Sequence, residues 1–175
     1  MVPPNFLPDL RTAGLHLRGP ETRDIPGWYQ RATDREAAAL AGDRVPESIS
    51  EGAIWLAGSM ERTRAGERLQ WVIDCPGAAE NVGTVSLSLR TAEISFVIGR
   101  AFWGRGIATQ AVRRVLAYGF DELGLNVVRA ELVEGNIASQ RLLTGCGFRI
   151  TRRFVDESDG AHCLKMQLSE TERLF

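Results

Sequence analysis

The sequence predicts an α/β (α+β) fold: one mixed, mostly antiparallel sheet of about six to seven strands with helices on both faces. Three patterns predict it. Residues 69–74 read as a strand and 82–89 as its alternating partner, on either side of the turn over 76–81, as in an antiparallel hairpin. The strand Glu93-Ile94-Ser95-Phe96-Val97-Ile98 runs through a glycine-bracketed loop into a helix over 107–123 and on to a strand over 127–133, which is a crossover unit. Two last strands, 149–155 and 163–168, flank the turn-forming run Asp156-Glu157-Ser158-Asp159-Gly160.

Length and composition set the bounds. With 175 residues, 44% hydrophobic and 25% charged, the chain reads as one globular domain over 1–175 with enough length for a core. A net charge of -1 gives no general attraction to nucleic acid or an anionic membrane. Met1-Val2-Pro3-Pro4 has neither the charged start nor the apolar centre of a signal peptide, and no apolar run is long enough to span a bilayer, so the expectation is a cytoplasmic protein. Cys75, Cys146 and Cys163 are an odd set without metal-ligand spacing and read as free thiols; no metal is expected.

In chain order, residues 1–10 hold three prolines and are expected to form an extended, loosely held arm. Leu15-His16-Leu17-Arg18 alternates as a first strand that turns His16 to the surface, and Pro20 to Asp24 enters a helix. The stretch 25–60 is helical in composition and broken near Gly42 to Pro46. Pro46-Glu47-Ser48 restarts it, with Ile49, Ala53, Leu56 and Met60 on one face. Trp28, Tyr29 and Trp55 suit core or interface. In the helix over 107–123, Ala108, Ala111, Val112, Val115, Leu116 and Phe120 recur at helical spacing. A short helix from Asn136 to Leu143 follows the 127–133 strand and closes at Gly145-Cys146-Gly147-Phe148.

The loop before the long helix is the first candidate site. Gly104 and Gly106 permit a tight turn and a close backbone approach. The amides from Arg105 to Thr109 then face outward at a helix start, where unpaired N–H groups and the helix dipole favour a phosphate or pyrophosphate. Neither Gly-x-x-x-x-Gly-Lys-[Ser/Thr] nor the third glycine of a dinucleotide fingerprint is present, so a nucleotide would be held in another way.

Taken together, Glu-x-Ser-Phe-x-Ile at 93–98, Trp-Gly-Arg-Gly-x-Ala-Thr-Gln-Ala at 103–111 and Asn-x-x-Ser-x-Arg-x-Leu with Gly147-Phe148 resemble the acetyl-CoA-binding motifs of the GCN5-related N-acetyltransferases (GNAT). The resemblance spans about residues 80–155 and is strongest to the branch of ribosomal-protein Nα-acetyltransferases, RimJ/RimL type. It implies the GNAT fold, in which the strand at 94–98 splays from that at 127–133 to take the pantetheine arm of acetyl-CoA.

Residue by residue, the resemblance implies cofactor contacts at Phe96, Val97 and Ile98 along the arm, the backbone of Phe96 and Ile98 bonding it as an added strand would. Arg105, Gly106, Ile107, Ala108 and Thr109 would hold the pyrophosphate, with Arg100 or Arg105 beside a phosphate by charge. Asn136, Ser139 and Arg141 complete the set. Asn136 suits a helix N-cap equally. Ser139 matches a serine proposed to protonate or hydrogen-bond the departing sulfur. Glu93 is the first candidate base, acting through water or binding the cationic amine, with Glu134 second. His162 reads as a surface residue beside a turn. Leu143 stands where many members carry a tyrosine acid, which leaves Ser139, water or an unaided thiolate for that role. The wide aromatic-bearing region 25–60 corresponds to the substrate-facing helices, so Trp28, Tyr29 and Trp55 suit an acceptor pocket as well as a core. The acceptor implied is a protein N-terminal α-amine. A small amine (aminoglycoside, polyamine or amino acid) and a catalytically silent acyl-CoA-binding module are the alternatives, and homodimers are common in the family.

Overall fold

The computed structural model describes residues 7–175. Its strands are β1 (Leu10–Arg11), β2 (His16–Arg18), β3 (Arg68–Cys75), β4 (Ala79–Ser88), β5 (Glu93–Ile98), β6 (Val127–Val133), β7 (Arg149–Val155) and β8 (His162–Ser169). They form one eight-stranded sheet in the order β1-β2-β3-β4-β5-β6-β8-β7. Every neighbouring pair is antiparallel except β5 and β6. The count exceeds the expected six to seven because of β1, only two residues long, which begins at the last residue of the stretch read as an arm. Of that arm, residues 1–6 lie outside the described residues. Leu10 is buried and the Pro8 carbonyl accepts a 2.7 Å hydrogen bond from Trp71 Nε1, so its end is packed against the sheet.

The helices are α1 (Ile25–Ala32), α2 (Arg35–Ala41), α3 (Glu51–Arg64), α4 (Ile107–Ala117) and α5 (Ile137–Cys146). A π-helical turn over Tyr118–Glu122 extends α4. The apolar stripe of α4 is buried through Ala111, Val112, Val115 and Leu116 against Leu69, Trp71, Val85, Leu87 and Ile94 on one face of the sheet. Each of the valine, leucine and isoleucine side chains contributes about 1.5–3 kcal/mol by leaving water. Helices α1 and α3 cover the other face.

That second face is polar. The strand register sets Gln70 beside Ser86 and Ser95, and Arg68 beside Ser88 and Glu93, in successive cross-strand rows. Alternate side chains of a strand share a face, so these rows form a floor beneath the helices.

Helix α3 departs from expectation in start and in face. It begins at Glu51 rather than near Pro46, and Ile49, Ala53 and Met60 are exposed while Gly52 and Ser59 are buried. The physical reason is close helix packing. A Cβ on Gly52 would lie 2.4 Å from Cγ2 of Ile25, so α1 approaches α3 across a glycine where a large side chain would not fit.

Candidate active site

Strands β5 and β6 are joined at a single rung, Glu93 opposite Arg129. There the Arg129 N–H donates to the Ala92 carbonyl at 2.7 Å, while the Gly99 N–H donates to the Val82 carbonyl at 2.9 Å. Backbone groups alternate between the two edges of a strand. Ala92 faces β6 and Gly99 faces β4, so Ile94, Phe96 and Ile98 turn their backbone groups toward β6, where past the rung the strands diverge. The central pair is therefore splayed.

A cleft of about 470 Å³ runs along this gap to the start of α4. Of the expected cofactor residues, Phe96, Val97, Ile98, Arg105, Gly106, Ile107, Ala108, Thr109, Asn136, Ser139 and Arg141 all line it. Gly104 and Gly106 both sit at φ 72°, in the left-handed region, and Gly106 is the N-cap of α4. A Cβ added at Gly106 would meet open space within 4 Å, so conformation rather than crowding requires the glycine. No carboxylate lines the cleft, and Arg105 and Arg141 supply cations beside the helix start. The donor set suits an anion with an extended arm.

Arg100 is placed elsewhere. Its guanidinium is held by both oxygens of Asp34 at 2.6 and 2.7 Å and by Glu36 at 2.8 Å, and it stacks over Trp103. The pairing, with the Ala37 N–H, holds the Asp34 carboxyl well below the usual carboxylate range. Asp34 is also the N-cap of α2, so Arg100 ties that helix to the loop after β5 rather than reaching for a phosphate. The Ile98 carbonyl is engaged as well, accepting 2.7 Å from Trp103 Nε1. Its N–H and the Phe96 groups are the ones turned to the gap.

Asn136 does two things. Its Oδ1 accepts from the Ser139 N–H at 3.1 Å, capping α5, and its Nδ2 donates to the Leu40 carbonyl at 3.0 Å, at the end of α2. Helix α2 thus spans the cleft with Arg100 at one end and Asn136 at the other. Leu143 is 1% exposed, within the core, so a residue at this position faces the interior rather than the cleft.

A second cavity of about 320 Å³ joins the first through Ala37, Ala41, Phe96 and Val97. Its floor is the polar face of β3, β4 and β5, and Trp28 stacked on Trp55 at 5.6 Å forms a wall. Tyr29 packs beside Trp28 outside the lining. Partial desolvation pushes the carboxyl of Asp43, an exposed residue of the lining, above its ordinary value. Glu93 lies outside the lining of both cavities, one row along the floor from Ser95, a spacing of roughly 7 Å on a strand.

Glu134 is ion-paired with Arg153, and His162 is exposed at the start of β8. His16 Nε2 is bonded to Asp9 at 2.7 Å. Burial raises all three thiols, the opposite of an activated nucleophile. The residues missed from sequence are those of the second cavity: Arg31, Asp43, Arg62, Arg68, Gln70, Ser86 and Ser95. One signal was available, the polar Thr84, Ser86 and Ser88 alternating with the apolar Val85 and Leu87 along β4.

The family model described as "Acetyltransferase (GNAT) domain" matches residues 14–149. The "Uncharacterized N-acetyltransferase YoaA" of Bacillus subtilis is 28% identical over 149 residues, 82% of this chain and 84% of that protein. Among solved structures, Mycobacterium smegmatis RimJ in complex with CoA-disulfide is 26% identical with a TM-score of 0.79, covering 95% of this chain and 88% of its own. The spermidine N-acetyltransferase of Vibrio cholerae, in complex with CoA and spermine, shares the fold at a TM-score of 0.79 and 19% identity, covering 92% and 98%. Among the described residues no helix is long and apolar enough to cross a membrane, and no three His, Cys, Asp or Glu side chains cluster as a metal site.

Proposed function

On the premise that the chain belongs to the GNAT acetyltransferase family and is an N-acetyltransferase, we propose that it acetylates a protein N-terminal α-amine in a ternary complex with acetyl-CoA. The observation that carries this reading is the continuous path from the α4 start, along the open β5 edge, into the second cavity. When bound, acetyl-CoA supplies an acetyl thioester, whose carbon–sulfur bond breaks as the amine nitrogen forms the amide.

The α4 amides with Arg105 would hold the diphosphate, and Phe96 and the Ile98 N–H would align the arm as a missing strand. Ser139, whose hydroxyl makes no hydrogen bond among the described residues, would donate to the departing sulfur. A thiol pKa near ~8.5 makes that group a fair leaving group, so Ser139 assists a step already accessible. Glu93 would remove the amine proton through water.

The acceptor follows from basicity. The acids at hand, Glu93 and Asp43, are carboxyls, and a carboxylate is a weak base for an ammonium of pKa ~10.4 such as lysine. An α-amine, near ~7.7–8.0, is already partly neutral at pH 7. The resemblance of the motifs to the ribosomal-protein Nα-acetyltransferases points to the same acceptor, and the likeness to RimJ is in keeping with that branch.

The test is release of CoA from acetyl-CoA with N-terminal peptides against the same peptides blocked at the α-amine and carrying a free lysine. Glu93→Gln and Ser139→Ala are expected to lower kcat by about tenfold or more and leave acetyl-CoA affinity within about twofold. Rates equal to the parent enzyme in both variants would remove their roles, and preference for the lysine peptides would overturn the α-amine assignment.

A further inference from the structure

The second cavity holds more positive charge than an amine acceptor calls for. Arg31, Arg44, Arg62 and Arg68 line it, against the one carboxyl of Asp43. Arg44 is paired with Glu51. No carboxylate pairs with Arg31, Arg62 or Arg68 among the described residues, although arginines elsewhere in the chain are paired repeatedly.

Each of the three has its own setting. Arg31 gives one amino group to neutral acceptors, the Asn81 carbonyl at 2.6 Å and Asn81 Oδ1 at 2.7 Å. Burial pushes its guanidinium down to about 10. Arg62, on the last turn of α3, has a buried Nε without a hydrogen-bond partner. Arg68 opens β3 on the polar floor, in the row of Ser88 and Glu93. Arg31 is the desolvated one of the three, with Asp24 acting on it from beyond pairing distance, and an arriving anion would supply the close counter-charge it lacks. A polyamine or aminoglycoside would add like charge to the same space and meet repulsion.

We propose that the acceptor is an amine bearing a carboxylate or phosphate close to its reacting nitrogen, the anion docking on Arg62 and Arg68 with Arg31 behind them. This deepens the acetyl-transfer reading and rests on it. The stacked Trp28 and Trp55 give the acceptor an apolar wall, and Gln70, Ser86 and Ser95 give it neutral hydrogen-bonding groups. Asp43, on the same lining, is left for the ammonium end.

The experiment measures CoA release with matched amines: glutamate and aspartate as free amino acids, peptides with an acidic second residue, the same peptides with lysine there, and spermidine. The anionic amines are expected to exceed their cationic counterparts in kcat/KM by about tenfold or more, the scale of one charge-assisted hydrogen bond. The free-acid and peptide arms separate the two sources of the anion. Arg62→Gln and Arg68→Gln should each raise the KM of the anionic acceptor by about tenfold with acetyl-CoA affinity unchanged, thermal melts verifying that both variants fold.

Spermidine or the lysine peptides matching the anionic amines would overturn the proposal, as would variants with unaltered KM. If no amine releases CoA, the acetyl-transfer reading fails separately, and calorimetry of an N-acetylated acidic peptide on the CoA-loaded protein still decides. Binding that both variants weaken sustains the anion site, and no binding removes it.

Discussion

Asn136→Asp isolates the tether that holds α2 across the cleft. Seven residues are too few for a helix to persist without help, so α2 depends on its attachments: Asp34 to Arg100 at one end and the Asn136 Nδ2 to Leu40 carbonyl bond of 3.0 Å at the other. Asn136→Ala removes this bond, worth about 1 kcal/mol, and the cap on the Ser139 N–H, worth about 1 kcal/mol more. At roughly 2–4 °C per kcal/mol for a chain of this size, the melting temperature should fall by about 4–8 °C. Aspartate keeps an oxygen for the Ser139 N–H and adds favourable charge at the helix start, but sets an acceptor against the Leu40 carbonyl. Asn136→Asp should therefore lower the melting temperature by only about 2–4 °C and speed exchange of the α2 amides by about fivefold, the equivalent of 1 kcal/mol. Hydrogen exchange read by mass spectrometry, with α5 peptides as the internal control, separates the two effects. Equal α2 exchange in Asn136→Asp and the parent would show that Arg100 alone holds the helix and that the Asn136 tether is idle.

Two further outcomes concern the core and its buried charges. Arg18 is 5% exposed and bonds both Asp24 (2.8 and 2.9 Å) and Asp74 (2.7 Å). Arg18→Met leaves two buried carboxylates without their cation and should cost about 3–5 kcal/mol in denaturant unfolding; a loss under 1 kcal/mol would refute the account. Burial alone would raise the Asp24 carboxyl, yet its bonds from Arg18 and the Glu21 N–H hold it below its ordinary value. A depressed folded pKa stabilises above the unfolded value near ~3.9 and that contribution fades as pH falls through the lower folded value. The parent should thus lose stability in acid below about pH 4 more steeply than Arg18→Met, in parallel chemical melts. Tyr118 is 1% exposed, packs edge-on against Trp71, and has a buried hydroxyl without a partner. Tyr118→Phe keeps the ring and removes that penalty, so it should be neutral or stabilising by up to about 1–2 kcal/mol in the same assay. A clear loss of stability would mean that the hydroxyl has a partner in solution.

The legible parts of this molecule are those whose signals are local. The turn through Gly104 and Gly106 into α4, and the cap at Asn136, depend on neighbours within a few positions, so their residues could be read before any coordinates. Arg100 could not: the partners that claim it, Asp34 and Glu36, lie more than sixty residues upstream. The face of α3 misled for another reason. Hydrophobic periodicity assumes that large side chains mark the buried side, whereas here the buried residues are Gly52, which takes the contact with Ile25 of α1, and Ser59. The unpaired arginines of the second cavity come from α1, α3 and the start of β3, and only the packing of those helices over the sheet gathers them about Ser86 and Ser95. A surplus of arginine in a chain with one lysine does not announce which of them lack partners.

The lone rung at Glu93 and Arg129 also has a mechanical meaning. Five strands stand on one side of it and three on the other, so the sheet is a pair of leaves sharing one hinge pin, with α2 as a clasp across the mouth. A guest that lies along the open margin supplies rungs the polypeptide omits. If the donor binds there as proposed, it should stiffen the open margin, adding rungs between leaves that already share one hydrophobic core.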